Sequence, residues 1–269
     1  MTIFLELIAF LCAGVLTGLL SSLFGLGGGL VVVPVSFLIF SLLGYPIDIV
    51  MHVALGTSLA VMIITTSNGI IHHARAGNVI KNVIWPMMLP IGLGAVIGAL
   101  SSTYIHSEWL RYCFMAFLVL VIVNALFNKA FRGDFSRDDL VSFHPLMRTL
   151  VAFVIGLVSV LLGIGGSVMS VPYFRKHKMP IANASACALC LTPAIAILGT
   201  LGYLYAGWQT TGLPAYSLGF INLPAAATIA LGTFIGVPLG IRCLRHLPDK
   251  SAAKLYIVML VIMLVLMVA

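Results

Sequence analysis

Charged residues are scarce in this sequence. They make up 8% of the chain, and none occurs between Lys178 and Arg242. Soluble domains carry about 25% charged residues. The hydrophobic fraction of 61% departs from the soluble range in the same direction. Because a membrane helix needs about 20 apolar residues, the sequence predicts an all-α polytopic membrane protein with almost no room for a soluble domain.

The groups that most enzymes need are also missing from the apolar segments. Glu6, Asp48 and Glu108 lie close to predicted helix ends, so a carboxylate proton relay has no carrier near the bilayer centre. No glycine loop ends in Lys-Ser or Lys-Thr, and nothing completes a metal site beside Cys187 and Cys190. We therefore expect no enzymatic activity, no cofactor and no metal. A membrane hydrolase remains the weakest alternative.

The positive charge of the chain belongs to its connections. The net charge is +7, but Lys and Arg sit in short polar loops, where they orient helices and meet anionic lipid head groups. Membrane lipids are therefore the expected partners, and nucleic acid is not. His52 is the only histidine well inside an apolar segment, and we expect it to have a structural role near a helix end.

Two glycine-rich breaks interrupt membrane-length apolar segments at matching positions. The first break contains Gly25, Gly27, Gly28 and Gly29, and the second contains Gly163, Gly165, Gly166 and Ser167. At a gap-free offset of 138 the coinciding pairs are Gly18/Gly156, Gly25/Gly163, Gly27/Gly165, Gly28/Gly166 and Pro34/Pro172. This block indicates an internal duplication with a broken helix in each half.

Lys and Arg are confined to some of the connections. They occur near 75–81, 128–148, 175–178 and 242–254. They are absent from the turns near 44–48, 105–108 and 206–217, and from both ends of the sequence. By the positive-inside rule the first group is cytoplasmic, whereas the second group and both termini lie outside. The N-terminal segment has no basic flank, so we expect it to be part of the first helix of the mature chain rather than a signal peptide.

These assignments agree only if segments 3–43 and 149–174 each return to the side that they entered. Residues 1–127 and 149–269 then form two membrane repeats, and residues 128–148 form a cytoplasmic linker. Each repeat would contain one glycine-tipped hairpin and three spanning helices. An odd number of crossings inverts the second repeat relative to the first, an arrangement typical of transporters with a site between the repeats.

The broken helices predict an anion site. A half-helix that begins inside the bilayer presents free N–H groups and a positive dipole end, and glycine lets a ligand approach them. Hydroxyls of Thr57, Ser58 and Thr192 lie near the expected cavity and can donate hydrogen bonds to an oxyanion. The alternative is that the glycines and hydroxyls serve only close helix packing. Two symmetry-related breaks favour the site.

The duplicated Gly25-Leu-Gly-Gly-Gly29, the run Gly56-Thr-Ser58, and Gly163-Ile-Gly-Gly166 resemble motifs of the TauE/SafE family of membrane transporters. The resemblance covers nearly the whole chain. It implies a secondary transporter in the bacterial inner membrane for a small sulfur-containing anion, such as sulfite or an organosulfonate, and often an exporter. This chain has Thr192-Pro193 where family repeats often carry Thr-Ser in both halves.

Other functions on the same framework stay open. A passive anion channel, or a carrier of another small anion such as a carboxylate, would use the same broken helices. The coupling ion and the direction of transport are not specified by the sequence, and a homo-oligomer is compatible with it.

Overall fold

The structure is a computed structural model that describes residues 2–24, 28–75, 77–127, 143–244 and 249–268. The described part is almost entirely helical, as the sequence predicts. The helices are α1 (Thr2–Phe24), α2 (Gly29–Leu42), α3 (Ile47–Arg75), α4 (Lys81–Ser102), α5 (Ser107–Phe127), α6 (Pro145–Leu161), α7 (Ser167–Lys176), α8 (Ile181–Ala206), α9 (Leu223–Leu244) and α10 (Asp249–Val268). Residues 128–142 of the predicted linker lie outside the described residues, as do Gly25 and Gly27.

Five of these helices are long and apolar enough to cross a membrane: α3, α4, α5, α8 and α9. Their outward faces are apolar as well. On α4, the exposed residues Trp85, Leu89, Leu93 and Ile97 recur every four positions and form one stripe. A stripe of this kind would be an aggregation hazard in water but suits contact with lipid. The chain is a multi-pass membrane protein.

Helices α1 and α2, and helices α6 and α7, are the two predicted broken pairs. Helices α6 and α7 contain 17 and 10 residues, which correspond to about 25 Å and 15 Å. Neither reaches the roughly 30 Å of a hydrocarbon core, so the second pair cannot cross as two full spans. Helix α1 has 23 residues and is long enough to cross, whereas α2 has 14 and is not.

The first helix of each half packs against a helix of the other half. Helix α1 packs most extensively against α9, and α6 packs against α4, while α3 and α8 pack together in the middle. The exchanged pairs approach at glycines. A Cβ atom on Gly18 would lie 2.7 Å from the Thr233 carbonyl oxygen, and one on Gly98 would lie 2.7 Å from the Leu157 carbonyl oxygen. These glycines serve helix packing, and the inverted orientation of the two halves stays a prediction.

Connections that the distribution of Lys and Arg assigns to the same side of the membrane lie at the same end of the protein. Residues near 48–52, 103–106 and 206–210 line one common pocket, and Arg111 Nε donates to the Met267 carbonyl oxygen at 2.6 Å. At the other end, Asn183 Nδ2 donates to the Asn78 carbonyl oxygen at 2.7 Å. Turns without Lys or Arg therefore meet at one end of the protein. Which end faces outside, and the placement of both termini there, stay predictions.

The apolar stretch 218–241 is long enough for one membrane helix, but its first residues form a hairpin instead. Strands β1 (Ser217–Leu218) and β2 (Ile221–Asn222) form a short antiparallel hairpin, and α9 starts only at Leu223. Gly219 has a φ of 55°, which permits the tight turn. Asn222 Oδ1 accepts a hydrogen bond from the Ala225 N–H at 2.9 Å, so Asn222 caps α9.

The close contact between α1 and α9, called the α1–α9 seam below, predicts that any side chain at Gly232 greatly lowers the stability of the protein. A Cβ atom there would collide with the Leu11 carbonyl and approach Val15 N to 2.7 Å. Gly232→Val should therefore destabilise the protein by about 1–3 kcal/mol or prevent assembly, because neither backbone can move without separating α1 from α9. Thermal unfolding in detergent measures the effect. Ala227→Val adds volume on the exposed face of α9 and should leave the unfolding midpoint unchanged. Equal losses of stability in both variants would contradict close packing at the α1–α9 seam.

Candidate functional site

The two glycine tips meet in the interior of the protein. A Cβ atom on Gly29 would lie 2.7 Å from the Gly163 carbonyl oxygen and 2.9 Å from Ile164 Cα. Ser58 on α3 donates its hydroxyl to the same Gly163 oxygen at 2.8 Å. Segments separated by more than 130 residues in the sequence thus touch backbone to backbone, as an anion site built from both breaks requires.

The tips lie near the middle of the two central helices. Beside the first tip, a Cβ on Gly29 would lie 3.3 Å from Met62 Sδ of α3, and on the other side a Cβ on Gly163 of the second tip would contact Leu55 of the same helix. Further along the second tip, Cβ atoms on Gly165 and Gly166 would contact Thr192 and Ile195 of α8. Because α3 and α8 are membrane-spanning in length, their central turns place the tips near the bilayer midplane.

Two glycines take a backbone conformation that other residues rarely adopt. Gly28 has a φ of 89° and immediately precedes α2, and Gly163 has a φ of 59° and follows α6. The sequence alignment pairs Gly28 with Gly166, but Gly166 has a φ of −59°. The two tips therefore differ at this shared position, so the duplicated motif does not give two identical half-sites.

Both half-helices begin without a side-chain cap. The Gly28 carbonyl accepts from Val31 and Val32, and the Gly166 carbonyl accepts from Met169 and Ser170, so the helical ladder starts at those carbonyls. No side-chain hydrogen bond caps either N-terminus. The first N–H groups of α2 and α7 precede the ladder, as at any helix start, and carry the positive end of the helix dipole. Such an end attracts an anion.

The hydroxyls predicted to face the anion are near the tips but are already engaged. Ser58 donates to Gly163, and Thr192 Oγ1 donates to the Ala188 carbonyl oxygen of its own helix at 3.1 Å. Thr57 Oγ1 accepts from the Asn222 N–H at 3.0 Å. Ser58 satisfies a carbonyl that the break leaves without a helical partner, and Thr57 anchors the β-hairpin. Ser58 and Thr192 adjoin the second tip, the hydrogen bonds of all three hydroxyls are structural, and their part in an anion site stays a prediction.

Other hydroxyls at the tips have no hydrogen-bond partner. Ser159, Ser167 and Ser170 are fully buried around the second tip, and each Oγ is unpartnered. At the first tip Thr17 is also buried with an unpartnered Oγ1, and its methyl group would lie 2.9 Å from a Cβ on Gly28. Buried hydroxyls normally have a partner. These four are therefore available to a ligand.

Sequence analysis predicted Ser167 and missed Ser170 and Thr17. Ser170 lies three residues after Ser167, a helical spacing that places both on one face of α7. Thr17 had no detectable signal, because a threonine beside Gly18 in an apolar helix is ordinary. Among the predicted residues, Gly25 and Gly27 lie outside the part of the chain that the structure describes.

Met62 lies beside the contact between the two tips. It is fully buried, and its sulfur would lie 3.3 Å from a Cβ on Gly29 and 3.5 Å from a Cβ on Gly165. Nothing in the sequence distinguishes Met62 from the other methionines of the apolar segments. A flexible thioether at this point fills the space between the tips and can move aside.

The basic run after the second tip is a structural element. Arg175, near the C-terminus of α7, is buried, and its Nη1 donates to the Met179 carbonyl oxygen at 3.1 Å. A cation is favourable at the negative end of a helix. Arg175 lies eight residues from Ser167, about 12 Å along the helix axis, so it does not reach the tip.

The sequence profile described as Sulfite exporter TauE/SafE matches residues 10–267. The chain belongs to the TauE/SafE family. A probable membrane transporter protein of Haemophilus influenzae is 28% identical over 254 residues, with 94% of each chain covered. One from Methanocaldococcus jannaschii is 32% identical over 243 residues, covering 88% of this chain and 86% of its own.

Another TauE/SafE-like relative, a probable membrane transporter protein of Bacillus subtilis, is 24% identical over 263 residues. No solved structure matches this chain. The family and the names of these relatives identify a membrane transporter and not an enzyme. Within the described ranges no group of three His, Cys, Asp or Glu side chains could hold a metal ion.

The hydrogen bond from Ser58 predicts a structural defect at the second tip. Ser58→Ala would leave the buried Gly163 carbonyl without this donor, which should cost about 1–3 kcal/mol of stability. The thermal midpoint in detergent reports this loss. Ser67→Ala removes an exposed hydroxyl that bonds only to Ile63 of its own helix, and it should have little effect. A Ser58→Ala protein as stable as the wild type would show that the bond to Gly163 does not hold the tip.

Proposed function

We propose that this chain is a secondary transporter of a small sulfur oxyanion, with sulfite as the favoured substrate and export as the favoured direction. The observation that carries the proposal is the meeting of two uncapped helix N-termini around buried, unpartnered hydroxyls. The family description, which names a sulfite exporter, supports the substrate class and the direction.

The chemistry around the tips favours an anion over other ligands. N–H groups and hydroxyls supply hydrogen-bond donors, and the tip residues Gly28, Gly29, Gly163, Gly165 and Ser167 contribute no charge. A site of oriented donors without a fixed cation binds an oxyanion while allowing its release. Sulfite offers three oxygens to these donors and a carboxylate offers two, so the donor-rich second tip favours the sulfur anion. A carboxylate carrier remains the alternative substrate class.

The contact between the tips supports a carrier rather than an open channel. Gly29 touches Gly163 and Ile164, and Met62 occupies the adjoining space. An anion can pass only if the tips separate. Closed tips at the midplane are expected of a protein that exposes its site to one side at a time. A passive channel would need a continuous path in its open state.

Anion flux in proteoliposomes tests the function directly. Sulfite, sulfate, sulfoacetate and acetate should be compared, each with and without the same anion inside the vesicles. A carrier should show saturable uptake of sulfite that is accelerated by internal sulfite. Uptake that is linear in concentration and insensitive to internal anion would favour the channel. Preference for acetate over every sulfur anion would contradict the proposed substrate class.

Gly165→Ala should block transport without disturbing the fold. The new methyl group would lie 3.3 Å from Thr192 Cγ2, 3.5 Å from Met62 Sδ and 3.6 Å from Ser167 Oγ, and so fills the space before α7. Gly166 is less suitable, because its Cβ would lie 2.5 Å from Ile195 Cδ1. We expect at least about a tenfold loss of sulfite flux, since a displacement of about 1 Å at a site can cost a hundredfold.

The matched control for Gly165→Ala is Gly92→Ala. A Cβ on Gly92 meets only the flexible end of Leu198, at 3.0 Å, in the α4–α8 contact away from the tips. Both proteins should elute as folded species in detergent, and only the tip variant should lose flux. Wild-type rates in a folded Gly165→Ala protein would show that the anion does not pass this point.

Ser167→Ala tests the unpartnered hydroxyls. A hydrogen bond to a charged group contributes about 1.5–3 kcal/mol, so its loss should raise the half-saturation concentration for sulfite at least about tenfold. Stability should not fall, because the hydroxyl has no partner in the unliganded protein. Ser36→Ala is the control: this serine is also buried and unpartnered but lies seven residues beyond Gly29, about 10 Å along α2. Equal kinetics in the two variants would remove Ser167 from the site.

A further inference from the structure

A polar pocket lies at the end of the protein where the turns without Lys or Arg meet. It has a volume of about 270 Å³ and is bounded by the start of α3, the α4–α5 connection, the end of α8 and the β-hairpin. We call it the α3 pocket. The residues that matter below are Asp48, His52, Tyr104, His106, Thr210 and Phe220. It is separate from the glycine tips.

His52 has one ring nitrogen with a partner and one without. Its Nε2 lies 3.0 Å from the Ser102 carbonyl oxygen. A carbonyl can only accept, so Nε2 carries the hydrogen in that bond. In the neutral ring Nδ1 is then a bare acceptor, and it is buried without any hydrogen-bond partner. His52 is 6% exposed and borders the pocket. This nitrogen is therefore the place where the pocket can take up a proton.

Few titratable groups face this ring. On its own helix, Asp48 lies one turn before His52. From the α4–α5 connection come Tyr104 and His106, both exposed. The end of α8 and the β-hairpin contribute the uncharged Thr210 and Phe220. Asp48 is thus the carboxylate that lines the pocket, and His52 is the buried acceptor behind it.

The same hairpin that covers His52 also holds α3 next to the tips. Phe220 stacks on the His52 ring with centroids 5.0 Å apart, and its N–H donates to the Tyr203 carbonyl oxygen. Two residues later, the Asn222 N–H donates to Thr57 Oγ1 at 3.0 Å. Thr57 adjoins Ser58, which bonds to the Gly163 carbonyl. A movement of the hairpin would therefore reach both the pocket and the second tip.

We propose that the α3 pocket is a proton-binding site, that His52 Nδ1 is its acceptor, and that its occupancy is coupled to anion transport. When the hairpin moves off His52 and opens Nδ1 to the pocket, a proton of a hydronium ion there transfers to the Nδ1 lone pair, leaving water and a singly positive imidazolium. Beneath Phe220 the Nδ1 atom is buried and makes no hydrogen bond, so an imidazolium is better solvated once the hairpin has moved. Protonation therefore stabilises a conformation in which the hairpin has left His52 and released Thr57, since a ligand favours the state that binds it better. The coupling, though not the proton site itself, rests on the proposed transport function.

The proton site is tested without any substrate. The full chain, labelled with ¹⁵N-histidine and reconstituted in lipid nanodiscs, is titrated from pH 4 to pH 9 by NMR. His52→Gln assigns the His52 signals, and its amide can still donate to the Ser102 carbonyl. We expect the Nδ1 resonance of His52 to change from the unprotonated to the protonated shift within this range. A resonance that stays unprotonated throughout would overturn the proposal.

The coupling is tested by sulfite transport in three proteins: wild type, His52→Gln and His144→Gln. His144 is an exposed residue at the opposite end of the molecule and serves as the control. The acid–base chemistry of sulfite is the same in all three. We expect His52→Gln to keep sulfite exchange at equal pH but to lose at least about fivefold of the flux driven by a pH gradient. An unchanged response to the gradient in His52→Gln would overturn the coupling.

The outcomes separate this inference from the proposed function. Absence of sulfite exchange in all three proteins would contradict the substrate assignment, and the NMR titration would still decide the proton site. If His52→Gln alone loses both sulfite exchange and gradient-driven flux, the NMR titration decides whether His52 is the proton site. A titrating His52 supports the site, and a non-titrating one removes it.

Discussion

The backbone of a helix that breaks inside lipid must find its hydrogen bonds within the protein, and this requirement organises the rest of the structure. At the second break, Ser58 of α3 provides such a hydrogen bond by donating its hydroxyl to the Gly163 carbonyl oxygen. The first break is pressed against the second at Gly29. The central helices α3 and α8 enclose both tips and keep lipid away from them. The N–H groups at the start of α2 and α7 are what this arrangement leaves for a ligand.

Glycine has two separate tasks in this protein, and the structure distinguishes them. At Gly28 and Gly163 it permits a left-handed backbone at the turns. At Gly18, Gly98 and Gly232 it lets helices from opposite halves touch carbonyl to backbone, without any turn. The sequence comparison pairs glycines of both kinds, because a duplicated chain preserves them equally. Only the three-dimensional contacts distinguish the glycines of the tips from the glycines at the helix–helix contacts.

Much of the fold could be predicted from sequence, because lipid imposes strong rules on composition and length. The scarcity of charge predicted the spanning helices, and the distribution of Lys and Arg predicted which turns share an end. Residues 218–222 were assigned to the start of a helix because this short hairpin is as apolar as a helix start. Side-chain partners were harder to predict, because the hydrogen bonds of Thr57 and Ser58 depend on neighbours from distant segments. Met62 carries no local signal at all.

The exchange of first helices has a consequence for how the chain is made. Helix α1 leaves the ribosome long before α9, yet the surface that covers Gly14 and Gly18 belongs to α9, which begins at Leu223. For most of synthesis α1 therefore has only lipid against its glycine face. The first half of the chain cannot complete its own packing in the membrane, so biogenesis ends in one late docking step rather than in two independent ones. A gene split between the halves would yield fragments that depend on meeting each other in the same bilayer.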